Sequence, residues 1–494
     1  MKKLAKDTAI YGLSSIIGKF LNWCLVPMYT RVLDTTADYG IVTNLYGWTA
    51  LLMVILTYGM ETGFFRFANK KEENPNTVYT ISLISLALTS ILFVILCWTF
   101  ISPISLGLGY ENYPEYIKIL SVIVAMDAFS SIPFAYLRYT NRPIRFASVK
   151  LLFIFLNIAF NLFFLLLCPY IHKTNPQLID WFYKDGNSVW YIFVSNFIAT
   201  LIMLLALVPE LIGFKYQLDK ALLKRMLRYS LPILALGVMG IFNQTADKII
   251  FPFLFDDKTY ANEQLGIYGA CFKIAVVMVM FAQAFRFAYE PFIFAKNKTE
   301  KEDNKKAYAE VMKYFIIFGL FIFLAVMFYI DILKYFVGPA YFEGIKVVPI
   351  VMMGELFFGI YFNLSFWYKL IDKTQYGAYF SAIGSISTIL IIVLFAPVFG
   401  YIACAWASFI CNLIMMLISY FIGQKKYPIQ YDLKSAGCYF LVAFVLFSID
   451  MILPIESMVV KLSFRTYLLL LFVTFTIKRD VPLKNIPFVN RFYK

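Results

Sequence analysis

The sequence is poor in charge and in histidine. Of its 494 residues only 15% are Asp, Glu, Lys or Arg, and there is one histidine, His172. Soluble domains carry nearer a quarter charged residues, so the composition excludes a soluble globular protein. The sequence has no metal-binding cluster, no Walker A loop and no nucleophile paired with a base. It therefore gives no grounds for an enzyme, an ATPase, a cofactor or a metal site.

Paired cysteine motifs are also missing. The seven cysteines all fall within or at the ends of apolar runs, and none forms a CxxC pair. Isolated cysteines in apolar runs behave as small hydrophobic residues. We therefore expect structural thiols rather than redox or metal sites.

What the sequence has instead is a series of long apolar stretches. Hydrophobic residues make up 61% of the chain, and the mean hydropathy is +0.73. Each stretch is long enough for a helix to cross a hydrocarbon core about 30 Å thick, and none alternates like a barrel strand. We predict an all-α polytopic membrane protein of about fourteen spans: 8–32, 39–63, 78–100, 117–138, 147–170, 189–213, 229–255, 264–291, 308–333, 346–371, 376–398, 400–423, 436–454 and 460–478.

Basic residues are distributed unevenly over the predicted loops. If the N-terminus is cytoplasmic, the inner segments hold about 29 Lys and Arg and the outer segments about eight. The outer loops are acidic. This is the pattern of the positive-inside rule, and it accounts for the net charge of +14 without a nucleic-acid partner. We predict that both termini are cytoplasmic.

The segment 214–228 separates the sixth predicted span from the seventh. Leu218, Leu222 and Met226 recur in it at helical spacing, and basic residues fill much of the remainder. This pattern predicts an interfacial amphipathic helix whose cations face anionic headgroups. A plain connecting loop is the alternative.

Two short motifs in the chain resemble each other. Asp38-Tyr39-Gly40-Ile41 opens the second predicted span, and Gln264-Leu265-Gly266-Ile267-Tyr268-Gly269 opens the eighth. Each follows a long span that contains proline. Repeated halves are common in secondary transporters, whose substrate sites lie between the lobes.

Several motifs resemble polysaccharide-biosynthesis flippases of the Wzx type, in the multidrug/oligosaccharidyl-lipid/polysaccharide exporter superfamily. They are Tyr11-Gly12-Leu13-Ser14, Asp38-Tyr39-Gly40, residues 243–250, residues 265–273 and Gly338-Pro339-Ala340-Tyr341. Residues 399–405 are similar to the family's opening of the twelfth span. Ile402 and Cys404 depart from that pattern, because small residues are expected there.

The resemblance implies two six-helix lobes around a central cavity, followed by two C-terminal helices. The N-terminal lobe would comprise 1–213, the amphipathic linker 214–228, the C-terminal lobe 229–423, and the two additional helices with a cytoplasmic tail 424–494. The implied activity is a flippase that moves undecaprenyl-pyrophosphate-linked oligosaccharide from the cytoplasmic to the periplasmic leaflet of a bacterial inner membrane. The implied partners are the lipid-linked glycan and membrane lipids, with the polysaccharide polymerase machinery as a further candidate.

Three other functions fit the same architecture. A cation-coupled multidrug exporter should favour acidic and aromatic residues in its cavity, whereas Lys19, Lys273 and Arg286 favour an anion. A lipid II flippase would share the cationic chemistry. A membrane scaffold for glycan assembly, without transport of its own, would need the charges within the spans to pair internally.

Ionisable side chains within the first and fifth spans are the first candidate site residues. A charge at the bilayer centre costs roughly 2.5–3.5 kcal/mol on insertion scales, so each needs a function or a partner. Lys19 shares a helical face with Asn22, and it either meets a pyrophosphate or pairs with Asp127 of span four. In span five the spacing places Lys150, Asn157 and Asn161 on one face. The amides either bind sugar hydroxyls or join helices, and Lys150 either binds substrate or snorkels to the interface.

Spans seven and eight supply the remaining candidates. Arg286 either binds phosphate oxygens or pairs with Glu290, and Lys273 lies farther round the same helix. Asp247 either couples transport to a cation or neutralises Lys273. Adjacent helical positions diverge, so we expect Asp247 and Lys248 to point in different directions. The predicted substrate contacts are Lys19, Asn22, Lys150, Asn157, Asn161, Lys273 and Arg286, and the predicted coupling or charge-pairing residues are Asp127, Asp247 and Glu290.

Overall fold

The computed structural model describes residues 12, 17–296, 301–371 and 373–480, and within them it contains helices and no strand. Thirteen helical segments of this part of the chain are long and apolar enough to cross a membrane. With the first predicted span, which is only partly described, they confirm an all-α polytopic membrane protein of about fourteen spans. The thirteen segments are Thr36–Ala68, Pro75–Thr99, Pro114–Tyr139, Pro143–Thr174, Ser188–Ala206, Lys220–Leu254, Lys258–Phe287, Lys305–Phe328, Pro339–Leu370, Gln375–Phe399, Ile402–Lys426, Leu433–Ile452 and Met458–Asp480.

Residues 17–23 are helical and precede the labelled helices. In chain order these are α1 (Val26–Val32), α2 (Thr36–Thr57), α3 (Met60–Ala68), α4 (Pro75–Thr99), α5 (Ile101–Leu108), α6 (Pro114–Tyr139), α7 (Pro143–Leu162), α8 (Cys168–Thr174), α9 (Ser188–Ala206) and α10 (Lys220–Ile250). The remaining helices are α11 (Lys258–Lys296), α12 (Lys301–Phe328), α13 (Ile330–Leu333), α14 (Val348–Leu364), α15 (Phe366–Leu370), α16 (Gln375–Phe399), α17 (Ile402–Lys426), α18 (Leu433–Ile452) and α19 (Met458–Asp480). Short 3₁₀ or π segments connect several of them.

The described chain divides into two compact units. The first contains the residues up to Ala270 together with Ser381–Cys404, and the second contains Cys271–Phe380 and the residues from Ala405 onward. In the first unit, α3, α4 and the start of α10 enclose a core that includes Met60, Phe64 and Tyr79. In the second unit, Trp367 and Phe380 belong to a buried aromatic cluster. The predicted division into lobes at 213 and 229 stays a prediction.

The amphipathic segment before the seventh span differs from its prediction. Residues 214–219 are not helical, and α10 runs without a break from Lys220 into the span. The helix starts there because the carboxylate of Asp219 accepts hydrogen bonds from the backbone N–H groups of Ala221 and Leu222. Leu222 and Met226 do share one face, but they are buried in the core of the first unit. The prediction of a separate interfacial helix over 214–228 is therefore wrong.

The two similar motifs of the sequence lie in contact within the first unit. A Cβ atom on Gly40 of α2 would lie 1.8 Å from the carbonyl oxygen of Asn262, and one on Gly266 of α11 would lie 1.9 Å from that of Thr36. Only glycine lets two backbones approach this closely. The capping box of Thr35 and Asp38 starts α2 just before the crossing, so the local sequence sets both where the helix begins and where it packs.

Candidate functional site

A cluster of four charges lies within the first unit. We call Glu61 of α3, Asp127 and Arg138 of α6 and Lys150 of α7 the Lys150 cluster. Arg138 pairs directly with Glu61. Lys150 interacts electrostatically with the other three members. The cluster brings two acids and two bases together from three helices.

Lys150 is held by an aromatic ring rather than by a carboxylate. Its ammonium group lies 4.1 Å from the centroid of the Phe134 ring, and the side chain is half-buried. Within the described part of the chain, its Nζ atom forms no hydrogen bond, and no carboxylate oxygen lies within 4.0 Å of it. A cation over an aromatic face keeps its N–H donors. The contact with Phe134 therefore stabilises the Lys150 ammonium group within the helix bundle and leaves its N–H groups able to donate hydrogen bonds to an anion.

Sequence reasoning selected neither Arg138 nor Glu61 as a site residue, because each lies near the end of a predicted span. The guanidinium of Arg138 stacks over Phe65 at 5.2 Å and over Phe146 at 5.9 Å from the ring centroids. Its Nε atom is buried and has no hydrogen-bond partner among the described residues. Its charged partner is the carboxylate of Glu61. Their separation of 77 residues leaves no sequence spacing that could have revealed the contact.

The polar face of α7 makes hydrogen bonds to the first span. Asn157 donates to the Asn22 side chain at 3.4 Å, and the hydroxyl of Tyr29 donates to the Asn161 side chain at 2.9 Å. Asn161 is fully buried and donates to the Asn157 carbonyl at 2.7 Å. Of the two predicted roles for these amides, the contacts match helix joining.

Lys19 lies next to this helix contact and is exposed. Its neighbour Gly18 packs against α7, since a Cβ there would lie 2.7 Å from the Ile154 side chain. Ile154 is one turn from Lys150. Lys19 and Lys150 therefore flank the same contact between two helices. The electrostatic partner of Asp127 is Lys150, where the sequence analysis had offered Lys19.

Asp247 has its own local partners at the end of α10. Its two carboxylate oxygens lie 3.1 and 3.0 Å from the Lys248 ammonium. One oxygen also accepts a hydrogen bond from the Tyr268 hydroxyl at 2.7 Å, and the other accepts one from the Lys248 backbone. The prediction that Asp247 and Lys248 point apart is wrong, because the long lysine side chain folds back, also contacting the Gln244 carbonyl at 3.3 Å. The cation paired with Asp247 is thus Lys248, where Lys273 had been considered.

In the second unit two cations share one aromatic ring. Arg286 lies 4.3 Å and Lys369 4.5 Å from the centroid of the Phe362 ring. Sequence reasoning selected Arg286 and missed Lys369, which lies near the end of the predicted span 346–371. Lys273 is half-buried in the same unit. The side chain of Glu290 lies outside the described part of the chain.

A cavity of about 430 Å³ in the first unit contains none of these residues. It is enclosed by α2, α4, α5 and α6, and its lining is almost wholly apolar, including Leu45, Trp48, Phe93 and Ile104. None of the described residues that line it carries a charge. Such a lining suits hydrocarbon and not a phosphate group, so the cavity is separate from the charged site.

Ionisable side chains inside the spans of a multi-pass bundle are typical of membrane transporters, in which they mark transport pathways. Residues 4–296, more than half of the chain, match the model of the family described as polysaccharide biosynthesis protein. The chain belongs to this family, and the resemblance to polysaccharide flippases is confirmed. No curated protein sequence matches the chain.

Solved structures with the same fold include both flippases and exporters. The structure of the lipid II flippase MurJ in an inward closed conformation superposes with a TM-score of 0.74 at 14% identity, over 95% of this chain and 98% of that one. An inward-facing multidrug resistance MATE transporter of the MOP superfamily gives 0.64 at 13% identity, over 85% and 94%. The MATE multidrug transporter DinF-BH gives 0.59 at 16% identity, over 86% and 96%. At these identities the comparison shows the fold.

Proposed function

We propose that the chain is a flippase that moves undecaprenyl-pyrophosphate-linked oligosaccharide from the cytoplasmic to the periplasmic leaflet of a bacterial inner membrane. The family supports a role in polysaccharide biosynthesis. The observation that carries the choice of cargo is Lys150, a cation inside a span whose ammonium rests on Phe134. A cation at this depth is costly unless it has a ligand or a partner.

The Lys150 cluster fits an anionic headgroup better than a cationic drug. Lys150 offers a compact ammonium charge, and Arg138 offers a buried N–H without a partner among the described residues. Both cations suit phosphate oxygens, which accept several charge-assisted hydrogen bonds. Glu61 holds Arg138 in place. The carboxylate of Asp127 then balances Lys150 when the headgroup is absent.

The other cations selected from the sequence belong to the same proposal. Lys19 beside α7, and Lys273 and Arg286 in the second unit, are proposed as further contacts to the pyrophosphate. Asn22, Asn157 and Asn161 are proposed to border the sugar path while they join helices. Of the proposed coupling residues Asp127, Asp247 and Glu290, Asp127 is preferred, because Asp247 is already occupied by Lys248 and Tyr268.

Transport by alternating access would carry the headgroup past these cations while the polyprenyl tail stays in the bilayer. An inside-negative membrane potential favours outward movement of an anion by roughly 2.3 kcal/mol per unit charge per 100 mV. A lipid II flippase would use the same cationic chemistry. A multidrug exporter shares the fold but would gain little from a lysine held over a ring.

The first test deletes the gene in its host and measures polyprenyl-pyrophosphate-linked glycans and surface polysaccharide by mass spectrometry. We expect loss of a surface glycan and build-up of its complete lipid-linked repeat unit. Unchanged glycans with altered sensitivity to cationic drugs would favour the exporter. Build-up of lipid II would favour the lipid II flippase.

The second test complements the deletion with variants of Lys150. Lys150→Met should abolish most of the complementation at normal protein levels, and Lys150→Arg should retain part of it, since it keeps the charge but not the geometry. Lys224→Met is the matched control, because Lys224 is exposed on α10. Full complementation by a folded Lys150→Met variant would contradict the proposed site.

A further inference from the structure

The last two helices are attached to the second unit by a buried ion cluster at one end. The Arg465 cluster consists of Arg465 and Lys461 of α19, Asp450 of α18 and Asp331 of α13. Arg465 is only 5% exposed, and it donates to Asp450 and to Asp331, each at 2.7 Å. Its guanidinium also donates to the carbonyl of Phe328, the last residue of α12, at 3.1 Å. Lys461 adds a second cation to Asp331 at 2.8 Å.

A second cluster joins α12, α18 and α19 at their opposite ends. In this Asp480 cluster, the carboxylate of Asp480 at the end of α19 lies 2.8 Å from the ammonium of Lys313 on α12. It also accepts a hydrogen bond from the hydroxyl of Tyr439 on α18 at 2.6 Å. The backbone carbonyl of Asp480 accepts from the Tyr314 hydroxyl at 3.2 Å. The helices α18 and α19 therefore contribute side chains to both clusters. The helix α12 contributes Lys313 to the Asp480 cluster and the carbonyl of Phe328 to the Arg465 cluster.

Further contacts join α12 to its neighbours between the two clusters. Lys313 and Phe328 are about 22 Å apart along the helix axis at the usual rise per residue. Between them the ring of Phe323 packs against Phe447 of α18, with centroids 5.5 Å apart. Near the Arg465 cluster the hydroxyls of Tyr329 and Thr466 form a hydrogen bond of 2.7 Å. The interface is thus secured at both ends and packed between them.

We propose that α12, α18 and α19 form one rigid body that keeps this packing throughout the transport cycle. Separating the helices would leave Arg465, Asp450 and Asp480 without partners in a membrane, where an uncompensated charge is costly. The cargo lipid therefore does not pass between α12 and the α18–α19 pair. This inference rests on the proposed transport by alternating access.

Chemical cross-linking tests the rigid body directly. Two cysteine pairs, Phe323→Cys with Phe447→Cys and Tyr329→Cys with Thr466→Cys, are introduced into the full chain after its native cysteines are replaced by alanine. Each pair is joined with a short cleavable bifunctional thiol reagent, and movement of lipid-linked glycan is measured in proteoliposomes. We expect the joined protein to keep its rate within about twofold, and a loss of tenfold or more that cleavage restores would overturn the inference. The single-cysteine variants treated with the same reagent are the controls.

A double-mutant cycle tests the attachment without relying on any cargo. Lys313→Met and Asp480→Asn should each lower the thermal unfolding temperature, and the double variant should be less damaged than the sum of the two. The exchanged pair Lys313→Asp with Asp480→Lys should recover part of the loss. Additive effects without recovery would overturn the inference. If the parent protein moved no glycan, the proposed function would fail and this cycle would still decide the attachment.

Discussion

Gly40 and Gly266 lie backbone to backbone where α2 crosses α11. A Cβ atom on Gly266 would lie 2.9 Å from the backbone nitrogen of Gly40, in addition to its contact with Thr36. Both glycines belong to the pair of similar motifs in the sequence. The similarity between the motifs therefore reflects one shared packing site, at which each motif provides the small residue that the other requires.

Replacing either glycine should destabilise the first unit. Gly40→Ala and Gly266→Ala each place a methyl group within 2 Å of a backbone carbonyl oxygen. Overpacking typically costs about 1–3 kcal/mol, and a clash with rigid backbone belongs at or above the upper end. Thermal unfolding of the purified protein should show the loss. Gly437→Ala is the matched control, because no atom lies within 4 Å of its added methyl group, and equal stability of all three variants would contradict the crossing.

Asp247 is expected to serve stability rather than ion coupling. Asp247→Asn removes the buried carboxylate and leaves the half-buried Lys248 ammonium without its charged partner, which should cost about 3 kcal/mol, the low end for breaking a buried pair on one side. The double variant Asp247→Asn with Lys248→Met removes both charges and should recover most of this loss. We expect the double variant to move glycan with unchanged dependence on Na⁺ and pH. An Asp247→Asn protein of normal thermal stability that has lost only its ion dependence would show that Asp247 couples transport.

The number of spans could be read from the sequence because hydropathy is a local property. Each apolar run is long enough to cross the membrane, regardless of which helices pack against it. The predicted bounds 376–398 differ from those of α16 (Gln375–Phe399) by one residue at each end. The amphipathic segment was misjudged for the opposite reason. Leu222 and Met226 have the period of an interfacial helix, but their burial depends on Met60 and Phe64, which are distant in sequence.

The candidate site was only partly predictable, because helical spacing shows which residues share a face but not what lies opposite. It placed Lys150 and Asn157 on one face of a helix, and both do lie on the continuous helix α7. It could not show that Phe134 would support the Lys150 ammonium or that Arg138 would join the cluster. The Asp247–Lys248 pair was missed because the backbone directions of adjacent residues do not determine where the terminal ammonium group of a flexible lysine side chain lies.

Asn161 should contribute modestly to stability. Asn161→Ala removes the acceptor of Tyr29 and the donor to Asn157. Side-chain hydrogen bonds between membrane helices are worth about 0.6 kcal/mol on average and at most about 1.7 kcal/mol, so the two together should cost roughly 1–2 kcal/mol. Chemical unfolding in mixed micelles can measure this. Asn76→Ala, at an exposed position of α4, should change little, and a full loss of transport by a stable Asn161→Ala protein would instead favour a direct role in binding sugar.

Acid should weaken the Arg465 cluster through Asp331, which follows the end of the apolar segment Lys305–Phe328. Burial alone would raise the pKa of Asp331, but hydrogen bonds and charge from Lys461 and Arg465 hold it below its ordinary value. A carboxyl whose pKa is lower in the folded state stabilises the protein above its unfolded pKa of about 3.9, and this contribution is lost as the pH falls through the folded pKa. Asp331→Asn should therefore cost about 1–2 kcal/mol at neutral pH, between the values typical of exposed and buried pairs.

The pH dependence separates this effect from a general loss of packing. Unfolding temperatures of the wild type and of Asp331→Asn in nanodiscs should differ at neutral pH and begin to converge as the pH falls below about 4, because the protonated carboxyl no longer pairs with Lys461 or Arg465. Asp256→Asn is the control, since Asp256 is exposed in the loop before α11, and it should follow the wild type throughout. A difference between wild type and Asp331→Asn that stays constant down to about pH 3 would mean that the asparagine disturbs packing and that the ion pairs contribute little.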